Sequence, residues 1–374
     1  MNMKHKTVFI LGAGFSIDAG APLQSNIVEE IFKLNSSKSY LFDQNKIEQF
    51  KLFLNETMYI QEDLHSSIPL EDIFTPLDRC IADNISFRNL DVVKVKEIRE
   101  IVYYLIGLTL KELLTHNVEK EYINKFAKHL FDNCIDRKDL GYKNPDTDKV
   151  AVISTNWDIL LDNSLNQLIN NYIQQTQKKA VVDYCCHISS HDEHNHNIKP
   201  GLEILGQGGF NIKLLKLHGS YNWLQCPRCL RVYINFNEKL VVSQFKQKVK
   251  CRHCHSNFGT HDSHILISNL IMPTFLKDFS NPQYKLIWQN AGVELSEATK
   301  IVFIGYSLPQ ADFEMRQLLS RMIREDAEIE VVTRGPSNKK STKELKERYE
   351  VFFGKRKPKF FYSGVKHYIN NKLK

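Results

Sequence analysis

Residues 215–223 read LKLHGSYNW, and this stretch decides the fold. A β-type run over 213–217 delivers His218, Gly219 and Ser220 are expected to turn the chain, and Cys226, the first of four paired cysteines, follows shortly after Trp223. An imidazole at a strand end has functional meaning, because open α/β sheets bind ligands outside the carboxyl ends of their strands. Histidine is also the side chain best suited to moving protons near neutral pH. His218 is therefore the candidate base. The competing reading is a buried histidine satisfied by a backbone carbonyl, the commoner fate of a lone histidine. What decides between them is the company found at the other strand ends.

Residues 7–11, TVFIL, are short, apolar and β-rich, as in strands buried on both faces of a parallel sheet, and they run into Gly12, Ala13, Gly14, Phe15 and Ser16. Glycines here let the backbone approach a ligand, and a following helix start favours phosphate. Ile17 stands where the third glycine of G-x-G-x-x-G would be, so a tight turn without ligand fits the loop alone equally well. The next strand, 150–153, closes on Ser154, Thr155, Asn156, Trp157 and Asp158. Helix capping, worth about 1 kcal/mol, explains one of these polar residues but does not need both Asn156 and Asp158. Further strands at 265–272, 301–304 and 330–332 end at Pro273, at Gly305-Tyr306-Ser307 and at Thr333-Arg334-Gly335.

Helices are expected over 22–32 with Pro22 opening the first, over 47–59, 70–81, 91–114 and 118–134, after Asp158 to about Gln175, over 282–298, and from near Asp312. Short apolar strands alternating with helices predict an α/β fold with a doubly wound parallel, Rossmann-like sheet. Residues 35–140 carry no chemical motif and read as a helical insertion that covers the sheet edge or meets a partner, with 141–148 as a turn-rich joint.

Cys226, Cys229, Cys251 and Cys254 are spaced C-x2-C-x21-C-x2-C, close to four-thiolate zinc sites. In a cytosolic chain they read as zinc ligands and not disulfides. The ribbon carrying them, 224–262, is small enough for the metal to supply on the order of 10 kcal/mol of its folding free energy, which makes the zinc structural. His253 and His255 stand beside the last pair and could replace a ligand. The stretch 184–197, with His187, His191, His194 and His196, matches no common ligand pattern and reads as a mobile polar loop.

Composition limits the partners. Of 374 residues 42% are hydrophobic and 25% charged, which is ordinary for a globular protein and does not indicate disorder. No apolar run approaches the roughly 18 residues of a membrane span, and the opening MNMKHKTVFILGAG is too short in its apolar part for a signal peptide, so a cytoplasmic protein without a membrane role is expected. A net charge of +7 suits an anionic ligand. Direct nucleic-acid binding would rest on charge alone, and the basic residues over 355–359 read as a solvated surface.

Taken in order, these motifs resemble the sirtuin family. GAGFS with Ala19-Gly20-x-Pro22 looks like its GAGxS…AGxP loop, STNWD sits where it has an Asn-x-Asp segment, LHGS looks like its catalytic His-Gly, the cysteine quartet resembles its zinc ribbon, and GYS its late G-x-S turn. The motifs span 7–334, with 35–140 outside them. Leu23, Gln24 and Ser25 replace the Asp-Phe-Arg that deacylating members have after AGxP, and a Phe-Gly-Glu pattern is missing before Pro273. The phrase FIGYSLP over 303–309, with Asp312 after it, looks instead like the bacterial sirtuin-like effectors of anti-phage defence, which cleave NAD.

The resemblance implies one catalytic domain over 1–374 that includes the 35–140 insertion and the 224–262 ribbon. NAD+ would be the substrate and Zn2+ the structural metal. The pyrophosphate would lie on the amides of Gly12, Ala13, Gly14, Phe15 and Ser16, and adenosine near Gly305, Ser307 and Thr333. Asn156 would orient the ribose hydroxyls or the attacking water, Asp158 would hold the nicotinamide carboxamide, and His218 would act as base. The implied activity is an NAD+ hydrolase giving nicotinamide and ADP-ribose. An NAD-dependent protein deacylase and a non-catalytic module for an NAD-derived ligand or nucleic acid are the alternatives. Control is expected through homo-oligomer formation or a separately encoded partner such as a HerA-like ATPase or an Argonaute-like protein.

Overall fold

The computed structural model describes residues 5–115, 119–135, 149–195, 197–236, 242, 247–259 and 264–373. The joint expected at 141–148, the helix start at Val118 and His196 lie outside the described residues. The strands are β1 Thr7–Leu11, β2 Val150–Ser154, β3 Ala180–Asp183, β4 Ile188–Ser190, β5 Phe210–Lys216, β6 Gly219–Gln225, β7 Val232–Ile234, β8 Ile267–Leu270, β9 Lys300–Ile304, β10 Glu328–Val332 and β11 Lys359–Phe361.

Seven of them form one sheet in the order β11-β10-β9-β1-β2-β5-β3, every neighbouring pair parallel. This is the doubly wound α/β sheet that the apolar runs predict. Parallel strands are covered on both faces, which is why TVFIL and KIVFI carry almost no polar residue and lie buried along nearly their whole length. The chain leaves β1 for β2 on one side and returns to β9 on the other, so the switch in strand order falls between β1 and β9. Ligands of such sheets bind at this point.

Helices Glu121–Ile135 and Leu160–Thr176 pack onto the sheet, with Phe126 meeting Phe9 edge to face at 5.1 Å between ring centres. Helices Ile27–Ser37, Gln44–Leu52, Leu70–Asp83 and Val92–Leu113 enclose a second core around Phe50, Ile73, Phe74, Val102 and Leu105. Each such side chain taken fully out of water contributes roughly 1.5–3 kcal/mol. Tyr221 of β6 and Met272 are part of this second core, which ties the helical layer to the strand that follows His218.

The second sheet is β4-β7-β6-β8, with β6 antiparallel to β7 and β8. Its contents correct three expectations. The turn after the histidine run falls at Leu217 and His218, and Gly219, at φ +76°, already begins β6. The stretch 184–197 is not simply a polar loop: it holds buried Tyr184, Cys186 and Ile188, its strand β4 pairs with β7, and Arg252 donates to the carbonyls of Ser190 and His191. The cysteine region also contains the helix Arg252–Phe258.

Two more differences are local. Pro22 does not start a helix; a 3-10 turn at Gln24–Asn26 precedes the helix Ile27–Ser37. Lys359 in the basic tail lies on β11, an edge strand of the main sheet, where charged side chains discourage further pairing. Among the described residues, no helix is long and apolar enough to cross a membrane.

Candidate functional site

Five strand ends are laced together just past the sheet. Gly12 donates to Ile304 O at 3.1 Å, Thr155 to Leu11 O at 3.0 Å, Leu217 to Ser154 O at 2.9 Å, and Gly305 to Val332 O at 3.1 Å. Each bond continues the ladder by one residue, so the loops after β1, β2, β5 and β9 share one edge. Over them lies a cavity of about 640 Å³, within the range of small-molecule sites. Ala13, Gly14, Asn156, Asp158, His218, Gly305 and Ser307 line it, joined by Lys277, Asp312 and Arg348. Leu110, Leu114 and Glu71 of the helical layer close the far wall.

The glycines serve close packing of the two loops at the switch point. A Cβ on Gly305 would stand 2.2 Å from Gly14 C and from Phe15 N, and its φ of +63° favours glycine in any case. A Cβ on Gly12 would come within 2.6 Å of Tyr306 Cα. The same packing alters the expected phosphate cradle. Gly12 and Gly14 donate to Ile304 O and Gly305 O, and Phe15 and Ser16 donate to Gly12 O and Ala13 O. These four amides are occupied, and that of Ala13, on the cavity wall, donates to no acceptor among the described residues, so the loop offers one open donor where a row was expected. Gly12, Phe15, Ser16 and Thr333 are not among the residues that line the cavity; the first three are buried and Thr333 is half-buried. Polar residues on the wall include Gln24, Ser25, Ser307 and Arg348.

Asn156 is buried, and its Nδ2 donates to Gly12 O at 2.9 Å, which fixes the amide plane. Its Oδ1 accepts no hydrogen bond among the described residues. Asp158 is held on both carboxylate oxygens, by Ser16 Oγ at 2.8 Å and by the Leu160 amide at 3.1 Å. Burial pushes its carboxyl up, against the pull of Lys216 and the Ser16 hydrogen bond. Lys216 ends β5 as a buried cation: its Nζ donates to Asp158 O at 2.5 Å and pairs with Asp162 at 3.2 Å, while Tyr184 OH donates to Asp162 at 2.7 Å. This network beneath the site was signalled in the sequence only by a lysine closing an apolar run.

His218 sits at the seam between the two sheets. Its carbonyl accepts from the Ile271 amide at 2.9 Å, and Trp288 Nε1 donates to the neighbouring Leu217 carbonyl at 3.1 Å, with the Trp288 and His218 rings 6.5 Å apart. Among the described residues no backbone carbonyl satisfies the ring. Its Nε2 instead faces Asp312 Oδ1 at 3.3 Å. Asp312 also accepts from Tyr306 OH at 2.7 Å and meets Lys277 Nζ at 3.3 Å. Burial would raise the Asp312 carboxyl, but His218, Lys277 and the Tyr306 hydroxyl outweigh it and hold the group well below the usual carboxylate range. Lys277 lies in a segment without any recognisable motif, and sequence reasoning passed over it.

Cys226, Cys229, Cys251 and Cys254 converge, all four sulfurs within 4.8 Å of one another. Cys226 to Cys254 and Cys229 to Cys251 are both 3.7 Å between sulfurs. A tetrahedral zinc with bonds of about 2.3 Å has sulfur-to-sulfur edges of about 3.8 Å, so the set fits that metal. Neither His253 nor His255 belongs to the cluster.

No family model and no curated protein matches the chain. Similar solved structures include one described as the structural basis for the mechanism and regulation of Sir2 enzymes, at 12% identity and a TM-score of 0.41, covering 100% of this chain and 91% of that one. Another is a Sir2 homologue mutant in complex with ADP-ribose, at 11% identity and a TM-score of 0.41, covering 98% and 93%. A third is a complex of Sir2 with a p53 peptide and NAD+, at 13% identity and a TM-score of 0.37, covering 98% and 90%.

Proposed function

We propose that the chain is an NAD+ hydrolase releasing nicotinamide and ADP-ribose. The observation that carries this reading is the convergence of His218, Asn156 and Asp158, from three different strand ends, on one cavity at the switch point of a parallel sheet. In the reaction the C1′–N bond breaks with its electron pair going to the nicotinamide nitrogen. Positive charge then builds on the ribose, as in glycoside cleavage. A water oxygen adds to C1′ and its proton passes to His218, so one water is consumed and one proton released per NAD+. Asn156 orients the ribose hydroxyls or the water with its uncommitted Oδ1. Asp158 accepts the carboxamide N–H through the lone pairs that Ser16 and Leu160 leave open. Gln24, Ser25, Ser307 and Arg348 offer the diphosphate and adenosine the polar contacts that the occupied loop amides do not.

On this reading the 35–140 helices belong to one catalytic unit with the sheet, because Leu110, Leu114 and Glu71 wall the same cavity. The cysteine cluster holds a structural zinc. The FIGYSLP phrase with Asp312 resembles the anti-phage branch, so the activity serves defence by depleting NAD+, and it is held in check by self-assembly or by a separately encoded partner.

The test is nicotinamide release from NAD+ by purified wild type, His218→Ala and Asn156→Ala, with melting curves and a parallel arm containing acetyl-lysine peptide. Each variant should lose about 10²-fold or more in rate while staying folded. Wild-type rates in a folded His218→Ala protein would overturn the assignment, and turnover that requires the peptide would make the chain a deacylase.

A further inference from the structure

Asp312 occupies the residue before the helix Phe313–Met322, a place where aspartate ordinarily caps the first turn with its own side chain. It makes no such cap. Its Oδ2 accepts from Tyr306 OH at 2.7 Å, and its Oδ1 is aimed at His218 Nε2, 3.3 Å away. Among the described residues neither of these two facing atoms makes a hydrogen bond, and both are shut off from solvent. Lys277, its side chain only 3% exposed, holds the arrangement from the other side: its Nζ lies 3.3 Å from Asp312 Oδ1, 2.5 Å from Glu314 and 3.2 Å from Ala311 O.

We propose that Asp312 is the positioning residue of the candidate base, fixing the His218 proton on Nε2 and leaving Nδ1 as the basic nitrogen. This rests on the reading of His218 as base. A neutral imidazole has one donor and one acceptor nitrogen, and the partner of the first sets the role of the second. When Nδ1 takes the proton of the attacking water, both nitrogens become donors, and the carboxylate already facing Nε2 balances the new charge without reorganising. The 3.3 Å separation is long for a formed hydrogen bond, as such contacts often are before substrate binds. Lys277 and Tyr306 keep the carboxylate ionised and in place, so it accepts the Nε2 proton and does not offer one. The alternative is that Asp312 simply partners Lys277 and has no influence on the imidazole.

Two measurements separate these. The first needs no turnover: in protein labelled with ¹⁵N-histidine, long-range proton–nitrogen correlation reads which ring nitrogen of His218 carries the proton. Nε2–H is expected in wild type, with a mixed or reversed population in Asp312→Asn. Nδ1–H in wild type, or an unchanged Nε2–H in Asp312→Asn, would overturn the proposal whether or not the protein cleaves NAD+. The second is kinetic. Asp312→Asn should lower kcat about 10²-fold with KM for NAD+ within about twofold, and His218→Ala/Asp312→Asn should be no slower than His218→Ala alone, as for groups that act as a unit. Multiplying losses in the double variant would make Asp312 an independent structural element. If wild type releases no nicotinamide, the hydrolase reading fails while the tautomer result still decides the role of Asp312.

Discussion

Gly305 is the residue on which the two loops at the switch point turn. Its positive φ and its contact with the Gly14 and Phe15 backbone leave no direction in which a methyl could relax. Gly305→Ala should therefore cost about 3 kcal/mol or more in urea unfolding. Gly208→Ala is the control: its φ is also positive, at +77°, but nothing lies within 4 Å, so only the backbone term of about 1–2 kcal/mol is expected. Equal losses in the two would mean that the loops are not in register as described. Asp312 makes a different prediction. Its folded carboxyl titrates below the ordinary value, so its stabilising contribution is complete above the unfolded value of about 3.9 and fades as pH falls through the folded one. The urea midpoint gap between wild type and Asp312→Asn should narrow as pH drops below about 4. A gap that stays constant down to pH 2 would show that Asp312 is not held ionised in the fold.

At the level of elements, legibility in the sequence followed burial. β1, β2 and β9 are read to within one residue because parallel strands covered on both faces are nearly continuous apolar runs, whereas β10, with Glu328 and Glu330 in it, was read only from residue 330. β3, β4 and β11 carry the same backbone pairing on three or four residues with polar or charged company, too short for periodicity to register. His218, Asn156 and Asp158 were singled out because strand ends concentrate chemistry, and the three do line one cavity. Lys277 was not, since its nearness to His218 depends on how a motif-free segment folds back. The role of Asp312 was hidden because aspartate before a helix looks like a cap. The occupied amides of Gly12, Gly14, Phe15 and Ser16 also lay beyond sequence reasoning, because their acceptors include carbonyls almost three hundred residues away. The cysteine lobe gives the prediction for this scale: one zinc per chain by metal analysis, and a lower melting temperature with less zinc in Cys229→Ser. Well under one zinc in wild type would remove the metal from the account.

For the whole molecule, the cavity is walled by two cores at once, with Leu114 in the core of the main sheet and Ile27 and Leu110 in that of the helical layer. A ligand there binds the folded arrangement and not the unfolded chain, so it must stabilise both cores together. ADP-ribose at a hundred times its dissociation constant should add about 2.7 kcal/mol, and for a chain of this size raise the melting midpoint by about 3 °C in one transition. A shift confined to one of two separate transitions would place the ligand on a single layer, and no shift at millimolar ADP-ribose would leave the cavity without its proposed occupant.

The pairing of β1 with β9 has a consequence for the chain as it is made. Thr7 aligns with Lys300 and Leu11 with Ile304, so the second strand to leave the ribosome that flanks β1 arrives nearly three hundred residues after it. By then Asn156 and His218 have long been outside the exit tunnel, but Gly305, Tyr306 and Asp312 have not. A growing polypeptide of this kind carries its reactive side chains without the wall that gives them a pocket. On the hydrolase reading proposed above, such a chain is inactive throughout translation, and its site is completed only when the late strand slots in beside the first.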